Sequence, residues 1–514
     1  MKLNKTKNTQ RNIAYGLLNR VFTLLFPFVV RTFLIRYLGI QYAGLNSLFS
    51  SILQVLNLTE LGFGSAVVYS MYKPIAENDE DSICALLNFY RRVYAIVGTI
   101  IFAVGLLLIP ILPHLINGGY PADIDLYKLY IIYLINTCLS YWLFGYKNSL
   151  LNAHQRTDVL SKISSLTRGG LCLCQIVLLI VTRNYYVYIL LMPFFTIANN
   201  LIIASVTKRV YPQYVCRGKP NKKQRKDINK KVSGLLVNKL CLTSRNTFDN
   251  IFISAFLGLT ITGLYGNYYT IMSSVVGFMA VMTSAMLAGV GNSIQTETTE
   301  KNYGDFLKFN FLYMWISGWC TVCLLCLYQP FMKIWMGEEQ LLPYSIVVLF
   351  CIYFFVLKMG DIRSVYLEAA GLWWENRYRA IIEALINLVL NFVLGKIFGL
   401  HGIIIATLIP LFFINFIGGS YVVFEHYFKN GKTGVYFRTQ IKYAVCTFAV
   451  AALTYGICSF IHFGVYTDLI FRAMICLLLP NLLFFLLYRR TPEYSVAKQW
   501  IINKLPEKVR RCIV

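Results

Sequence analysis

Stretches of about 20 mostly apolar residues recur along the chain, and a helix of that length crosses the roughly 30 Å hydrocarbon core of a bilayer. Of the 514 residues, 57% are hydrophobic and only 14% are charged. Ordinary globular proteins carry about 25% charged residues. The composition therefore excludes a soluble globular enzyme, a disordered protein and a secreted disulfide scaffold, and it predicts an all-α polytopic membrane protein.

Fourteen candidate spans are separated by helix-breaking residues such as Gly39, Pro74, Gly258 and Gly371. The N-terminal span follows a basic stretch but is too long for a signal peptide, so we interpret it as a retained first helix. The predicted spans are residues 12–37, 42–70, 88–112, 126–150, 158–182, 185–206, 232–257, 260–292, 306–329, 342–368, 376–398, 401–424, 438–462 and 468–488.

The balance of charge is strongly basic, with 48 Lys and Arg against 23 Asp and Glu and a formal net charge of +25. In a soluble protein this would suggest nucleic acid. Here the positive-inside rule accounts for the charge, so no nucleic-acid partner is expected. Most cations fall on the side of the N-terminus, whereas loops and helix ends on the opposite side carry only Arg36, Lys128, Arg183, Lys333 and Lys396. The asymmetry predicts cytoplasmic termini and an even number of spans.

A basic, non-spanning stretch at residues 207–231 follows the sixth span and divides the chain into two halves. We predict an N-terminal lobe of helices 1–6 over residues 1–206, and a C-terminal lobe of helices 7–12 over residues 232–424. A further helix pair, 13 and 14, and a basic cytoplasmic tail occupy residues 425–514. The charge of the linker fits a topological anchor or contact with anionic lipid headgroups.

An internal repeat supports this division. A shift of 219 residues places Gly39 on Gly258 and Gly44 on Gly263, each with a neighbouring leucine. The first and seventh spans then correspond. Because six spans are an even number, the two lobes point the same way. We expect a pseudo-twofold axis along the membrane normal, as in the parallel repeats of transporters.

Ionisable side chains inside the spans are the first candidate functional residues. A charge at the bilayer centre costs about 3 kcal/mol or more and generally faces a wet cavity. Polar and cationic residues share matching faces of the first and seventh spans, and arginine suits phosphate because its fork donates two parallel hydrogen bonds. The residues predicted to line a cationic substrate cavity are Arg20, Arg31, Lys239, Arg363, Asn246 and Asn250.

A second set of intramembrane residues has two open interpretations. Some of them are spaced to form ion pairs within one helix, and others lie near cytoplasmic helix ends, where a long side chain can snorkel. Each therefore serves either ion coupling or structure. The set comprises Glu60, Arg245, Asp249, Lys358, Asp361 and Glu368. Arg168, in the fifth span, is a further intramembrane cation.

The 14 cysteines lie almost entirely in apolar runs, so no disulfide framework is expected. Cys320, Cys323 and Cys326 have a metal-like spacing, but no His or acidic residue accompanies them. In an apolar helix a free cysteine behaves as a small hydrophobic residue, and we interpret the three as part of the core. The sequence indicates no metal, no organic cofactor and no G-x-x-x-x-G-K-[ST] nucleotide loop.

Several short motifs follow one another near the N-terminus. They are Tyr37-Leu38-Gly39, Tyr42-Ala43-Gly44-Leu45, Leu58, Glu60-Leu61-Gly62, Gly64-Ser65-Ala66 and Tyr72-Lys73-Pro74-Ile75-Ala76-Glu77-Asn78-Asp79. These motifs resemble the start of the bacterial polysaccharide flippases, the Wzx-like O-antigen and capsule transporters. That family is part of the MOP superfamily, with the MATE drug exporters and the lipid II flippase MurJ.

The resemblance implies a transporter rather than an enzyme. Such proteins move an undecaprenyl-pyrophosphate-linked oligosaccharide from the inner to the outer leaflet of the bacterial cytoplasmic membrane by alternating access, for surface polysaccharide biosynthesis. The implied fold is MATE/MurJ-like, with a cationic cavity for the headgroup and a lipid-tail groove beside helices 13 and 14. First-helix arginines act in MurJ, and Arg20 and Arg31 resemble them in placement. Expected partners are the lipid-linked oligosaccharide, membrane lipid, and polysaccharide polymerase and chain-length proteins.

Three other classes of protein fit the sequence less well. A MATE-like drug or cation antiporter would favour an acidic cavity, whereas the lone charges here are cationic. A membrane glycan polymerase or ligase would be expected to carry a large outer loop rich in Arg and His. The longest outer loops, around residues 113–125 and 330–341, hold few of either. A structural scaffold would leave the cations of the symmetry-related spans unexplained.

Overall fold

The computed structural model describes residues 22–23, 25–57, 63–429, 431–461 and 463–504; the side chains of residues 229–242 and 244–246, among others, lie outside the description. These residues form helices and connecting turns, without a β-strand in the described part. The helices are α1 (residues 25–38), α2 (Ile40–Leu56), α3 (Phe63–Glu77), α4 (Glu80–Leu107), α5 (Leu126–Trp142), α6 (Asn148–Ala153), α7 (Thr157–Thr182), α8 (Tyr185–Val210), α9 (Lys222–Thr296), α10 (Thr299–Met336), α11 (Tyr344–Met359), α12 (Asp361–Ala369), α13 (Arg377–Pro410), α14 (Gly419–Val423), α15 (Thr433–Ser459), α16 (Val465–Tyr488) and α17 (Pro492–Lys504).

The predicted fold class, an all-α polytopic membrane protein, is confirmed. Within the described residues nine helices are long and apolar enough to cross a bilayer, or up to ten if a bent pair counts as one span. Two of the nine, Thr247–Thr296 and Arg377–Phe428, contain 50 and 52 residues. At 1.5 Å per residue each is about 75 Å long, enough to cross the roughly 30 Å hydrocarbon core twice.

Both long helices are broken at the positions where the sequence predicts separate spans. Gly258 interrupts one with φ 84° and Gly399 interrupts the other with φ 56°. A positive φ is readily accessible only to glycine. The chain therefore changes direction there while hydrogen bonding continues on both sides.

The repeat predicted from the sequence has a counterpart in backbone conformation. Gly39 has φ 107° and ψ 171°, and Gly258, 219 residues later, has φ 84° and ψ 176°. This region of conformational space is essentially restricted to glycine. Each glycine precedes a helical segment, so the two aligned segments begin in the same way.

A second pair of repeat glycines makes reciprocal contacts. A Cβ atom on Gly44 would lie 2.2 Å from the carbonyl oxygen of Leu259, and a Cβ atom on Gly263 would lie 2.6 Å from the carbonyl oxygen of Ile40. Ile40 and Leu259 are themselves separated by the repeat offset of 219 residues. The two segments thus exchange equivalent backbone contacts, as a local twofold relation requires.

The structure divides into two compact units, Met1–Gly266 and Asn267–Val514, called unit 1 and unit 2 below. The lobe boundaries predicted from the sequence stay a prediction. The link between α8 and α9 is non-helical only over residues 211–221, because α9 already begins at Lys222. This link is fixed to α4, since the Asn88 amide donates to the carbonyl oxygen of Gly218 at 2.8 Å.

Unit 1 packs α4 and α5 closely through small residues. A Cβ atom on Gly98 would lie 2.8 Å from Tyr141, and one on Gly105 would lie 2.4 Å from Leu134. The hydroxyl of Tyr130 donates to the carbonyl oxygen of Gly105 at 3.1 Å. Membrane helix bundles are commonly stabilised by small residues that let helices approach closely and by interhelical hydrogen bonds.

In unit 2 the long helix α10 is central and packs against α11, α15 and α16. Its N-terminal half also contacts α12 and the π-helical turn Phe424–Phe428 that follows α14. Aromatic rings fill this meeting point, with centroids 5.2–6.3 Å apart; the cluster includes Tyr303, Phe306, Tyr366, Phe424, Phe428 and Tyr436.

Candidate functional site: polar cavities and buried charges

Unit 1 contains a cavity of about 420 Å³ with a mostly polar wall, called the polar cavity below. The spanning helices α4, α7 and α8 contribute to it, together with the bent pair formed by α5 and α6. Apolar faces of these helices serve packing and lipid contact, so the polar side chains collect on the remaining faces. The polar lining residues are Tyr94, Asn136, Ser140, Tyr141, Asn148, Ser164, Thr167, Arg168, Thr196, Asn199 and Asn200.

Two buried polar atoms on this wall lack a hydrogen-bond partner in the described structure. They are Nδ2 of Asn200 and Oδ1 of Asn148. Asn200 is only 6% exposed. An unpaired buried amide costs about 1–3 kcal/mol, so such atoms generally have a partner supplied by water or a ligand. The cavity therefore offers both a donor and an acceptor to a polar occupant.

Arg168 provides the positive charge of the polar cavity. It lies near the middle of α7 and its side chain is exposed. Its Nη1 donates to Oγ1 of Thr23 at 2.8 Å, and no ion pair involving it is present among the described residues. Ser164 and Cys172, one turn away on either side, are not acidic. The guanidinium thus retains donors for an anion.

Two further cavities of unit 1 adjoin the polar cavity. One, of about 270 Å³, shares Arg168 with it and is lined by α1 residues, including Phe26 and Pro27. The other, of about 640 Å³, shares Tyr94 and Asn148 and reaches the start of α7. Polar space therefore extends from the N-terminal end of α7 to the helix middle, where Arg168 lies.

The predicted site residue Arg31 forms an internal anchor in unit 1. Its Nη2 donates to the carbonyl oxygen of Gly263 at 2.9 Å, and its Nη1 lies 3.4 Å from Oγ of Ser47. A Cβ atom on Gly266 would lie 2.6 Å from Nη2, so the absence of a side chain at Gly266 leaves room for the guanidinium. Arg31 thus connects α1 to the segment that carries the second copy of the repeat.

Of the predicted seventh-span residues, two are described. Asn250 donates to Oγ of Ser51 at 3.0 Å while its Oδ1 is buried without a partner in the described structure. Asp249 is 1% exposed and accepts a hydrogen bond from the Tyr265 hydroxyl at 3.2 Å. Arg20 and Glu60 and the side chains of Lys239, Arg245 and Asn246 lie outside the described residues.

In unit 2 the predicted pair Lys358 and Asp361 is in contact. The Lys358 ammonium lies 2.7 Å from Oδ2 of Asp361, and the lysine side chain is only 4% exposed. The Tyr313 hydroxyl donates to the same carboxylate oxygen. The C-terminus of α11 and the N-terminus of α12 meet here, so one carboxylate on α12 accepts hydrogen bonds from donors on two other helices, α10 and α11. Glu368, further along α12, is exposed.

Arg363 is fully enclosed in unit 2, at 1% exposure. Its Nη2 donates to both the backbone oxygen and Oδ1 of Asn415, each at 3.0 Å. Asn415 lies in a π-helical turn, Leu411–Gly418, where the wider winding leaves a carbonyl oxygen available. A Cβ atom on Gly419 would lie 2.3 Å from Nη1. Glycine and the π-turn together make room for the guanidinium.

Asn415 also connects Arg363 to a carboxylate. Its Nδ2 donates to Oε2 of Glu383 at 2.9 Å, and the same oxygen lies 2.8 Å from Nη1 of Arg379. The Asn415 amide therefore bridges Arg363 and Glu383, and Glu383 pairs directly with Arg379. Among the predicted residues of unit 2, Lys358 and Asp361 form an ion pair. Arg363, predicted to line a cavity, instead donates to Asn415 inside the unit.

Unit 2 also carries a groove of about 400 Å³ whose lining is apolar. It lies between α9, α10 and α16, with Val275, Phe278, Leu327 and Leu469 on its walls. Such a surface gains from contact with hydrocarbon and offers nothing to a polar ligand.

The sequence did not assign a role to Arg168 or to the amides around it. The criterion applied to Arg363, a cation without an acid one turn away in an apolar span, applies equally to Arg168. The asparagines gave no such signal, since Asn136, Asn148 and Asn200 are spread over three helices.

An all-α polytopic fold with polar, cation-bearing space inside its membrane-spanning helices defines a membrane transporter. Residues 9–287 match the model of the polysaccharide biosynthesis protein family. This match covers more than half of the 514 residues, and the chain belongs to that family. A comparison with curated proteins gives no match.

Solved structures with the same fold include three transporters of low sequence identity. The lipid II flippase MurJ in an inward closed conformation is 14% identical with a TM-score of 0.64, and the alignment covers 93% of this chain and 98% of that one. An inward-facing multidrug-resistance MATE transporter of the MOP superfamily is 14% identical with a TM-score of 0.60, covering 80% and 96%. A MOP superfamily transporter from Pyrococcus furiosus, described as having reverse polarity of its binding pocket, is 13% identical with a TM-score of 0.56, covering 81% and 96%.

Proposed function

We propose that this chain is a flippase that moves an undecaprenyl-pyrophosphate-linked oligosaccharide from the inner to the outer leaflet by alternating access. In this proposal it acts in the bacterial cytoplasmic membrane with both termini in the cytoplasm, and it supplies the glycan units of a surface polysaccharide such as O-antigen or capsule. Family membership and the transporter fold support the general class. The chemistry of the cavities supports the proposed substrate.

The observation that carries the proposal is Arg168, an exposed guanidinium near the middle of a spanning helix, on a cavity wall with unpaired amides. A charge at this depth costs about 3 kcal/mol or more unless water or a counter-ion surrounds it. A pyrophosphate supplies the counter-ion, and arginine binds it through two parallel hydrogen bonds. Sugar hydroxyls both donate and accept, which matches Nδ2 of Asn200 and Oδ1 of Asn148.

The apolar groove of unit 2 supports the lipid part of the substrate. A polyprenyl tail carries no polar atoms, and burying it in an apolar groove costs no hydrogen bond. The resemblance implies a tail groove beside helices 13 and 14, and α16 is the helix predicted as the fourteenth span. The groove of unit 2 includes Leu469 of α16.

The energy source in this proposal is the membrane itself. The potential supplies about 2.3 kcal/mol per elementary charge per 100 mV, and an inside-negative potential favours outward movement of an anionic headgroup. Asp249 is buried and Asp361 is half-buried, and either carboxylate could exchange an ion. Each also accepts a hydrogen bond from a tyrosine hydroxyl, that of Tyr265 or Tyr313, and this contact fits a structural role for the carboxylate as well. The proposal assigns ion coupling to either carboxylate only if its neutral variant uncouples transport.

The experiment uses the full chain in proteoliposomes loaded with a fluorescent polyprenyl-pyrophosphate-linked sugar, with leaflet transfer followed by quenching from outside. Arg168→Ala removes the cation and should lower the transfer rate by at least about tenfold, since a charge-assisted hydrogen bond is worth roughly 1.5–3 kcal/mol. Arg168→Lys keeps the charge but loses the bidentate geometry, so partial recovery is expected.

Lys162→Ala is the matched control, because Lys162 is an exposed cation on the same helix outside the cavity lining. It should transfer lipid at the wild-type rate. If Arg168→Ala also transfers at that rate while folding normally, the cavity assignment is wrong.

A MATE-like antiporter of organic cations is the second candidate within transporters. Its ligand would need negative charge in the cavity. None of the described residues that line the polar cavity is acidic. Saturable binding of an organic cation, abolished by a change in this cavity, would favour the antiporter over the flippase.

A further inference from the structure

Three buried cysteines from three different helices converge in unit 2. They are Cys326 on α10, Cys458 at the end of α15 and Cys476 on α16, each no more than 1% exposed. Their Sγ atoms all lie within 4.8 Å of one another. Cys323, one turn before Cys326, brings a fourth thiol, with its Sγ 4.0 Å from the backbone oxygen of Cys476. We call these four residues the thiol cluster.

In the sequence, the spacing of Cys320, Cys323 and Cys326 on α10 predicts core residues, because no His or acidic residue accompanies them. The structure supplies two thiols from distant parts of the chain instead, at Cys458 and Cys476. The cluster therefore has the number and type of donors that a thiolate-bound metal requires.

A second observation concerns Arg472, one turn before Cys476 on α16. Its Nη2 makes a long hydrogen bond of 3.4 Å to the carbonyl oxygen of Ile461, and its Nε is buried without a partner in the described structure. The guanidinium is close enough to interact electrostatically with the thiols of Cys458 and Cys476. Arg472 is half-buried, and a neighbouring negative charge offsets the cost of desolvating its guanidinium. Neutral thiols do not provide that charge, whereas thiolates do.

We propose that the thiol cluster binds a thiophilic metal ion of the Cu(I) or Zn(II) class, with Cys326, Cys458 and Cys476 as thiolate ligands and Cys323 placed to be a fourth. Zinc–sulfur bonds of about 2.3 Å put tetrahedral sulfurs roughly 3.8 Å apart. The sulfurs, within 4.8 Å of one another, need to close by at most about 1 Å, which small side-chain rotations supply.

The charge balance of binding involves Arg472. A divalent ion that displaces three thiol protons leaves the three-thiolate site with a charge of −1, and Cu(I) that displaces two protons leaves the same charge. The three or two protons are released to solvent. The guanidinium of Arg472 neutralises the resulting anion. The bound ion then joins α10, α15 and α16, so its role in this proposal is to fix the packing of unit 2.

The test uses the purified full-length chain in detergent, reduced and stripped with a chelator, then titrated with Zn²⁺ or, without oxygen, with Cu(I). The expected result is about one ion per wild-type chain for at least one of the two metals. Cys326→Ser and Cys458→Ser should each bind that ion at least about tenfold more weakly. Cys351→Ser, which changes a buried cysteine of α11 outside the cluster, should bind as wild type does.

A second measurement on the wild-type chain does not depend on how the variants fold. The bound metal should raise the unfolding temperature and protect Cys326, Cys458 and Cys476 from a thiol-alkylating reagent, whereas Mg²⁺ should do neither. The proposal is overturned if neither Zn²⁺ nor Cu(I) binds stoichiometrically. It is also overturned if Cys326→Ser binds as tightly as wild type, or if two cluster cysteines form a disulfide in the freshly purified chain.

Discussion

The reciprocal glycine contacts of the repeat give a prediction whose size follows from the structure. In Gly44→Ala, the new Cβ atom would lie 2.2 Å from the carbonyl oxygen of Leu259. Close carbon–oxygen contacts in proteins are about 3.3–3.6 Å, so the two backbones must separate by more than about 1 Å. A backbone oxygen cannot rotate away as a long side chain can, and the whole segment has to move.

The expected cost is at the upper end of what overpacking produces. Small-to-large substitutions in packed interiors cost typically 1–3 kcal/mol, so we expect about 3 kcal/mol for Gly44→Ala. Gly263→Ala, where the contact to Ile40 would be 2.6 Å, should cost about 2 kcal/mol. Once one substitution has separated the segments, the second meets less resistance. The double variant should therefore lose less than the sum of the two single losses.

The assay is reversible unfolding of the purified chain in mixed micelles, with the free energy of unfolding compared between variants. Gly289→Ala is the matched control, because Gly289 lies in the same helix as Gly263 and a Cβ atom there would meet nothing within 4 Å. Alanine should be neutral or stabilising there by up to about 1 kcal/mol. If Gly44→Ala and Gly263→Ala are as stable as Gly289→Ala, or if their losses add, the reciprocal contact is refuted.

Two further predictions concern the buried charges of unit 2. Gly419→Ala should displace the Arg363 guanidinium and lower the free energy of unfolding by about 3 kcal/mol. Gly456→Ala, at a site with open space, should leave it unchanged. Thermal unfolding in detergent compares the two variants, and equal stability would contradict the prediction. Asp361→Asn leaves the Lys358 ammonium without its carboxylate and should lower the free energy of unfolding by about 3 kcal/mol. Adding Lys358→Met should recover part of this loss. A single variant as stable as the wild type would show that the ion pair does not contribute to stability in this way.

Local breakers could be predicted from the sequence because they act through the backbone of a single residue. Gly258 was predicted to separate two spans, and the structure gives it a conformation that only glycine tolerates well. The correspondence of Gly39 with Gly258 is also visible in the sequence, because the positive-φ conformation favours glycine at both positions. The contact of Lys358 with Asp361, three residues apart, was predictable from spacing alone.

Partners from distant parts of the chain could not be predicted in the same way. Arg363 donates from Nη2 to Asn415 in a π-helical turn, and no sequence periodicity signals that turn. Arg31 donates to the backbone carbonyl oxygen of Gly263. Every residue has such an acceptor, so residue type does not signal this contact. The thiols of Cys326 and Cys476 meet only because α10 packs on α16. The placement of helices decides these contacts, not the residue pattern.

The central claim, flipping of a lipid-linked glycan, is tested most directly by locating that glycan in the two leaflets. A strain that lacks this gene but keeps the enzymes that assemble the lipid-linked unit would be labelled with a glycan-specific reagent in intact cells and in inverted vesicles. The account predicts that the units accumulate on the cytoplasmic side and that the intact gene, but not its Arg168→Ala variant, moves them outward. Units that reach the outer face without the gene and remain unpolymerised would contradict flipping and point to a polymerase.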